Sequence, residues 1–303
     1  MFRRTRSSEA RSLGETHRQL DIALGAMTQG LCLYDQANKL QLWNNRFAEL
    51  YNVKDALRRG MTFEEVICLT VSLGLYGERS VADVLEMRKA FIARRERARM
   101  DQVLSNGTII EIVHVPLEDG GWVATYEEVT ARRAADERLR YLATHDEMTG
   151  LANRSKFLSA AVALQSTSDL SSRFAILLLD LDGFKRVNDT HGHPVGDALL
   201  IEVGRRLESM DTNAEVIARL GGDEFAILRS SVPDDDVLRP WASAIVNELC
   251  IPYAVGKHVL VIGASAGLAA ARPYQRDVKM VLAQADSALY VAKSSGGARV
   301  VFA

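Results

Sequence analysis

No stretch of this 303-residue chain approaches the ~20 consecutive apolar residues that a membrane-spanning helix needs. The longest candidate, Val259 to Ala271, is broken by glycines and a serine and reads as strand and turn. A leader segment is not expected either. Arg3, Arg4 and Arg6 make a short basic arm, but no apolar run follows it, so it is no signal peptide. Cysteine is scarce: Cys32, Cys68 and Cys250 are odd in number and far apart. That excludes a disulfide framework and predicts small buried thiols in a reduced, cytoplasmic setting. An excess of one charge is absent too. Lys+Arg of 37 against Asp+Glu of 39 gives a formal charge of −2, which offers no ground for a nucleic-acid partner. The remainder has the composition of an ordinary globular chain, long enough for two domains with cores of their own.

What is present centres on Arg219-Leu220-Gly221-Gly222-Asp223-Glu224-Phe225, with strand-like residues on both sides. Two strand signals joined by Gly-Gly predict a tight hairpin, because glycine accepts the positive φ that such turns need. Its glycines let a phosphate-bearing ligand approach the backbone, and its two acids can hold a metal. An ordinary solvated turn has the same composition, so these residues alone decide nothing. Upstream, residues 174–182 form an apolar run ending in Asp180 and Asp182. The run reads as a buried strand, and the period of two puts both carboxylates on one face at its C-terminal end. If the two acid-bearing segments pair, three or four carboxylates converge near a lysine. Such a cluster suits a hard divalent cation bound to a nucleoside triphosphate.

Further blocks follow the same order: Asp146, Thr149-Gly150-Leu151 and Asn153-Arg154; Phe184-Lys185, Asn188-Asp189, Gly192-His193 and Gly196-Asp197; and Ala285-Asp286, Leu289-Tyr290 and Lys293. With them, residues 146–303 resemble a GGDEF domain, the catalytic domain of diguanylate cyclases. The element order is strand 174–182, helix 184–210, hairpin 215–230, helix 236–249, strands near 251–271, helix 277–294 and strand 298–302. It predicts a mixed α/β (α+β) sheet with helices on one face, similar to the palm-like fold of nucleotidyl cyclases.

The resemblance implies condensation of two GTP into cyclic di-GMP, with Mg²⁺ or Mn²⁺ as cofactor. Asp180, Asp223 and the carbonyl of Leu181 would bind the metal. Asp223, Glu224 and Lys185 would be catalytic, with either Asp223 or Glu224 helping to remove the hydroxyl proton. Gly183, Phe184, Gly221, Gly222 and Lys293 would meet the substrate's phosphates. Asn188 and Asp197 would hydrogen-bond the guanine edge, which argues for GTP over ATP. Asp182, Arg219 and Asp146 read as structural, the last pairing the arginine at the mouth of the hairpin. His191 and His193 read as structural as well.

Two features depart from the family pattern. Gly297 stands where the family often has an arginine on the phosphates, with Arg299 two places on. Thr212 and Glu215 stand where an Arg-x-x-Asp product site is expected, so allosteric product inhibition is not expected.

The first half reads differently. Gly30 to Asp35 and Leu40 to Trp43 are strand-like around a turn at residues 36–39, and Asn44 or Asn45 is placed to cap a short helix. Residues 62–74 and 80–100 have helical period, the second with a charged face that reads as solvated. Strand signals return at Met100–Leu104, Ile109–Pro116 and Gly121–Glu127, with Asn106-Gly107 as a hairpin turn. This order, with Trp43-Asn44-Asn45-Arg46-Phe47 and the segment Gly120 to Thr130, resembles a PAS domain. Its ligand is unknown. Histidine is absent between His17 and His114, which argues against a histidine-ligated haem in the central helices. Cys68 reads as core and His114 as a satisfied structural histidine.

Residues 129–145 predict a linker helix in which Ala131, Ala135, Leu139 and Leu142 form one stripe, as in a short coiled coil. The expected organisation is a polar arm over 1–18, a PAS sensor and dimerisation domain over 19–128, the linker helix over 129–145 and the cyclase domain over 146–303. The expected partners are GTP and a second copy of the chain, with no nucleic acid and no membrane span. No Glu-Ala-Leu phosphodiesterase segment is expected. The alternative reading is a catalytically weak GTP-binding module that signals by contact.

Overall fold

Burial alternates residue by residue along Gly30–Tyr34 and Trp122–Glu128, as in a sheet with one face turned to a core. The computed structural model describes residues 15–16, 18–93, 95–165, 173–210, 213–230, 232, 235–271 and 277–303. The chain divides into two compact units after Asp136.

In the N-terminal unit, residues 18–26 form α1. The strands β1 (Gly30–Tyr34), β2 (Leu40–Trp43), β3 (Ala98–Val103), β4 (Ile109–Pro116) and β5 (Trp122–Glu128) make an antiparallel sheet in the order β2-β1-β5-β4-β3. Between β2 and β3 lie α2 (Asn45–Leu50), α3 (Phe63–Ser72) and α4 (Val81–Ile92). Asn44 caps α2: its Oδ1 accepts from the Phe47 N–H at 3.0 Å and from the Leu31 N–H at 2.9 Å, tying the helix to β1. Capping boxes start α3 at Thr62 and α4 at Ser80. The helical period therefore ends at Ile92 and not near residue 100; the chain turns through Arg95 at φ 47° and enters β3 at Ala98. Cys68 is exposed rather than buried, because Phe63, Val66, Ile67 and Thr70 take the inward face of α3 and leave it on the other.

The core of this unit is aromatic. Tyr34 stacks on Trp122 at 4.2 Å, and Phe63 meets both rings edge-on. Phe47, Tyr51 and Tyr126 form a second group with centroids 4.7–5.6 Å apart.

The helix α5 (Thr130–Thr144) contains the division between the units. The second unit holds a six-stranded sheet in the order β13-β12-β7-β9-β8-β6. Its strands are β6 (Ala152–Asn153), β7 (Ala175–Asp182), β8 (Val216–Gly221), β9 (Glu224–Arg229), β12 (Gly263–Ala270) and β13 (Val300–Phe302), and β10 (Tyr253–Val255) pairs separately with β11 (His258–Leu260). β7 lies between β9 and β12, antiparallel to both, and its first seven residues are buried.

Helices cover both faces of this sheet, not one. Leu177, Leu179 and Leu181 point to α8 (His193–Met210) and α9 (Asp235–Leu249) through Leu199, Val203, Leu207, Ile245 and Leu249. Ile176 and Leu178 point the other way, to α6 (Arg154–Gln165) and α10 (Val278–Ser294) through Phe157, Ala161, Val281, Ala285 and Leu289. A strand without alternation needs apolar cover on both sides.

The single helix expected over 184–210 is two. α7 (Phe184–His191) ends at Gly192, with φ 84°, and α8 begins at His193. Gly192 ends α7 with a positive φ that glycine adopts freely, and Pro194 sits in the first turn of the next helix, where its missing N–H does no harm. Among the described residues no helix is long and apolar enough to cross a membrane.

Candidate active site

The carboxylates gather where β7 ends beside the β8–β9 turn. Asp180 pairs with Glu224 across β7–β9, and the Leu181 N–H donates to the Asp223 carbonyl at 3.3 Å. This bond lays Asp223 alongside the end of β7. The tight turn itself is Gly222-Asp223, Gly221 being the last residue of β8. Arg219 holds the turn from below: Nε and Nη2 donate to the Gly222 carbonyl at 3.0 and 2.8 Å. Its Nη1 donates to both oxygens of Asp146 at 3.1 and 3.2 Å. The Thr149 N–H and hydroxyl also donate to Asp146, at 2.9 and 2.7 Å. Burial alone would raise the carboxyl of Asp146, but these bonds and the arginine hold it below the usual carboxylate range. Arg219 and Asp146 are thus a structural pair that fixes the turn.

Asp180 is buried, with Lys293 Nζ of α10 at 2.5 Å. Burial pushes its carboxyl above the usual range, the charges of Asp223 and Asp182 add to this, and the lysine opposes it. For Lys293, burial works against the charge, yet the bond to Asp180 and the fields of Asp180, Asp223 and Glu224 hold its ammonium higher than usual. The cluster is thus short of positive charge. Asp182 serves otherwise: Ser265 Oγ donates to both its oxygens at 2.9 Å, and the Ala298 N–H donates to Oδ2 at 2.8 Å. It binds β7 to β12 and to the loop before β13. The sequence reading missed Ser265, whose partner lies 83 positions away.

Among the described residues no three His, Cys, Asp or Glu side chains converge as a metal site. The donors at hand are two carboxylates, Asp180 and Asp223, and the backbone at Leu181. That set fits Mg²⁺, which keeps waters and phosphate oxygens among its ligands and rarely sits in an all-protein cage.

Gly183, in the left-handed region at φ 81°, opens α7 with no side-chain cap, so the first N–H groups of Phe184 and Lys185 lack one. An uncapped helix N-terminus of this kind suits a phosphate. Lys185 is exposed there. One helical turn on, Asn188 Oδ1 is buried without a hydrogen-bond partner among the described residues. A Cβ on Gly196 would stand 1.9 Å from this oxygen and 3.3 Å from the Phe184 ring. Gly196 therefore makes the space Asn188 occupies, and exposed Asp197 follows it. The structure thus brings Asp180, Leu181, Asp223, Glu224 and Lys293 together and strings Gly183, Phe184, Lys185 and Asn188 along α7.

The two departures resolve differently. Gly297 has φ 72°, and a Cβ there would meet the Asp182 carboxylate at 2.9–3.3 Å, so an arginine at this position would be strained. Arg299 Nε donates to the Gly297 carbonyl at 3.1 Å. Thr212 lies outside the described residues, while Glu215 accepts from Ser230 Oγ at 3.0 Å.

Comparison with known proteins agrees with this arrangement. A family model described as "Diguanylate cyclase, GGDEF domain" matches residues 143–299, and one described as "PAS fold" matches 24–137. The chain is 35% identical over 231 residues to an uncharacterized signaling protein of Caulobacter vibrioides, an alignment covering 73% of this chain and 28% of that one. It is 38% identical over 184 residues to the probable diguanylate cyclase DgcE of Escherichia coli, covering 59% and 16%. The chain therefore spans less than a third of either relative. Among solved structures, the coiled coil and GGDEF domain of DgcB from Caulobacter crescentus, in complex with c-di-GMP, superposes with a TM-score of 0.51 at 28% identity, covering 58% of this chain and 93% of that one.

Proposed function

Since the chain belongs to the GGDEF family through residues 143–299, we propose that it is a diguanylate cyclase that condenses two GTP into cyclic di-GMP and two pyrophosphates, regulated by its N-terminal PAS domain. The observation that carries this reading is the buried Asp180 beside Asp223 at the uncapped start of α7. Asp180, Asp223 and the Leu181 carbonyl would hold Mg²⁺ or Mn²⁺, which supplies positive charge against the triphosphate when bound. Lys293, now paired with Asp180, turns to phosphate oxygens, as does Lys185. The N–H groups after Gly183 bind phosphate, and the backbone of Gly221 and Gly222 allows its close approach. Asn188 accepts from the guanine amino group, and Asp197 accepts from the guanine edge, which adenine cannot match.

The 3′-hydroxyl oxygen of one GTP attacks the α-phosphorus of the other, and the bond to the bridging oxygen breaks to release pyrophosphate. The hydroxyl proton passes to Asp223 or Glu224. Each domain holds one GTP, so two copies must face each other. We assign that pairing to residues 19–145, the PAS domain with the linker helix; Leu139, with 64% of its surface exposed, lies on the helix stripe that would join them.

The second reading is a GTP-binding module of weak activity. Gly297 favours it, because the phosphate contact of a family arginine is missing there. Incubation of the purified chain with GTP and Mg²⁺, with products separated chromatographically, tests both. Cyclic di-GMP formation is expected. GTP binding without turnover would leave the module reading in its place.

A further inference from the structure

Arg88 is an arginine with no anion. It projects from α4 into the aromatic core of the N-terminal unit and keeps 5% of its surface exposed. Its Nη2 donates to the Tyr126 hydroxyl at 3.5 Å, long for a bond to oxygen, and its Nη1 to Met100 Sδ at 3.5 Å, an ordinary distance to a weak sulfur acceptor. Among the described residues it makes no ion pair with a carboxylate, and it is not among the guanidinium groups stacked on a ring. The titratable groups whose charges would act on it are Tyr126, Tyr76, Tyr51 and Cys32, and Tyr34 and His114 in turn feel its charge. None supplies a negative charge: burial holds the phenols of Tyr51 and Tyr126 well above their ordinary range and pushes the Cys32 thiol up to about 12. Arginine itself does not deprotonate in a protein. A buried unpaired charge is costly, and apolar residues of similar volume are often no less stable in its place.

Arg88 and the side chains of Tyr34, Tyr51, Thr70, Tyr76 and Tyr126 line a small cavity whose remaining walls are apolar side chains of α2 and α3. Its space for the centre of a water-sized sphere is about 10 Å³, room for a single small sphere. A second donor is left over on the same face of β3: Gln102 Oε1 accepts from Tyr51 at 2.8 Å, while its buried Nε2 has no partner among the described residues. The Gln102 amide lies outside the lining, and the Tyr51 and Thr70 protons already go to Gln102 and to the Val66 and Ile67 carbonyls, so the cavity itself offers the guanidinium, the phenol groups of Tyr34 and Tyr76, a net positive charge and the width of one small ion.

We propose that the cavity beside Arg88 is a binding site for a small monovalent anion of chloride size, held by the guanidinium and the phenol groups of Tyr34 and Tyr76. The site lies outside the nucleotide machinery and does not depend on the cyclase reading.

The test melts the full chain at constant ionic strength, with chloride, bromide, nitrate or formate replacing gluconate. Chloride and bromide are expected to stabilise the N-terminal unit saturably, by about 100-fold in its folding equilibrium at one hundred times the dissociation constant. Nitrate and formate, being larger, are expected to act more weakly. Arg88→Met is expected to abolish the anion dependence and to match or exceed the wild type in gluconate. A bromide-soaked crystal of the wild type should show anomalous density against the Arg88 guanidinium. An anion dependence equal in both proteins, none in the wild type, or bromide density only elsewhere would overturn the proposal. If Arg88→Met does not fold, the wild-type crystal alone decides.

Discussion

The two units bury their polar groups in opposite ways. In the C-terminal unit the buried polar side chains among the described residues are Asp180 and Ser265, which lie opposite each other across β7–β12 at the mouth of the site. Behind them the core is aliphatic, through Leu177, Leu179, Val203, Ile227 and Leu268. In the N-terminal unit Arg88, Gln102 and His114 are buried on the aromatic side of the sheet. A rim carboxylate can be served by water, metal or substrate, so its desolvation has a use. An interior polar group must find its partner inside or depress stability. The comparison marks the C-terminal core as a scaffold that holds a site at its edge. The N-terminal core is where an internal ligand would have an effect.

That contrast breaks most sharply at Asp223. Asp223→Ala is expected to lower synthesis of cyclic di-GMP by about 1000-fold or more, because no neighbouring side chain replaces the lost metal ligand. Its unfolding free energy from urea titration should stay within about 0.5 kcal/mol of the wild type, as for surface changes in general. Substantial Mg²⁺-dependent turnover in the variant would remove Asp223 from the site.

Gly196 gives the next largest effect. Gly196→Ala puts a methyl group 1.9 Å from Asn188 Oδ1, and the side chain must leave. The expected result is a KM for GTP raised by roughly 10- to 100-fold, consistent with loss of a hydrogen bond worth about 1–3 kcal/mol. Steady-state kinetics with GTP and with ATP would show whether selectivity falls as well. An unchanged KM would mean that Asn188 does not touch the base.

How far the sequence foretells this site depends on the distance between partners. The strand ending in Asp180 and Asp182, the Gly-Gly turn and the Arg219–Asp146 pair were legible, because each follows from a local pattern or an evident charge requirement. The break at Gly192 was also written locally, in a glycine followed two residues later by Pro194, but the helical period of the flanks masks it. Ser265 and Gly196 were not legible as parts of the site. A serine in a strand and a glycine in a helix acquire meaning only from what the fold brings opposite them. Helices on both faces follow from the unbroken apolar run at residues 174–179, a signal of two-sided burial that the element order alone does not convey. In the N-terminal unit the apolar face of α3 was visible, yet Cys68 was taken to lie on it, one step of 100° from Ile67.

Gly297 tests the scaffold. Introducing the family's arginine, Gly297→Arg, is expected to lose stability and not to gain activity. The backbone there is left-handed at φ 72°, and the new Cβ would crowd Asp182, which ties β7 to the loop before β13. Strain of this kind costs about 1–3 kcal/mol, measurable as a lower urea midpoint with an unchanged slope. A variant as stable as the wild type and faster with GTP would show that the loop adapts.

The smallest effect belongs to the N-terminal core. His114 on β4 is 2% exposed, and neither ring nitrogen has a hydrogen-bond partner among the described residues, so the satisfied histidine expected from the sequence is not what the fold contains. It sits between Phe91 and Trp122, with ring centroids at 5.8 and 5.2 Å. Burial pushes its imidazole below the usual range; a backbone contact at Glu96 opposes this weakly and the charge of Arg88 adds to it. Because the folded value is depressed, the unfolded chain takes up the proton first as pH falls. Stability is therefore complete above the unfolded value, about 6.5, and declines as pH drops from there through the folded value. His114→Leu should flatten this part of the stability curve, leaving other groups to set the remaining slope. At pH 8, where the ring is neutral in both states, the exchange removes two unpaired nitrogens for an apolar group of similar size. It is expected to be neutral or stabilising by less than about 1 kcal/mol. Urea titrations of both proteins between pH 5 and pH 8 provide the measurement. A variant that keeps the wild-type slope, or loses more than about 2 kcal/mol at pH 8, would mean that His114 has a partner after all.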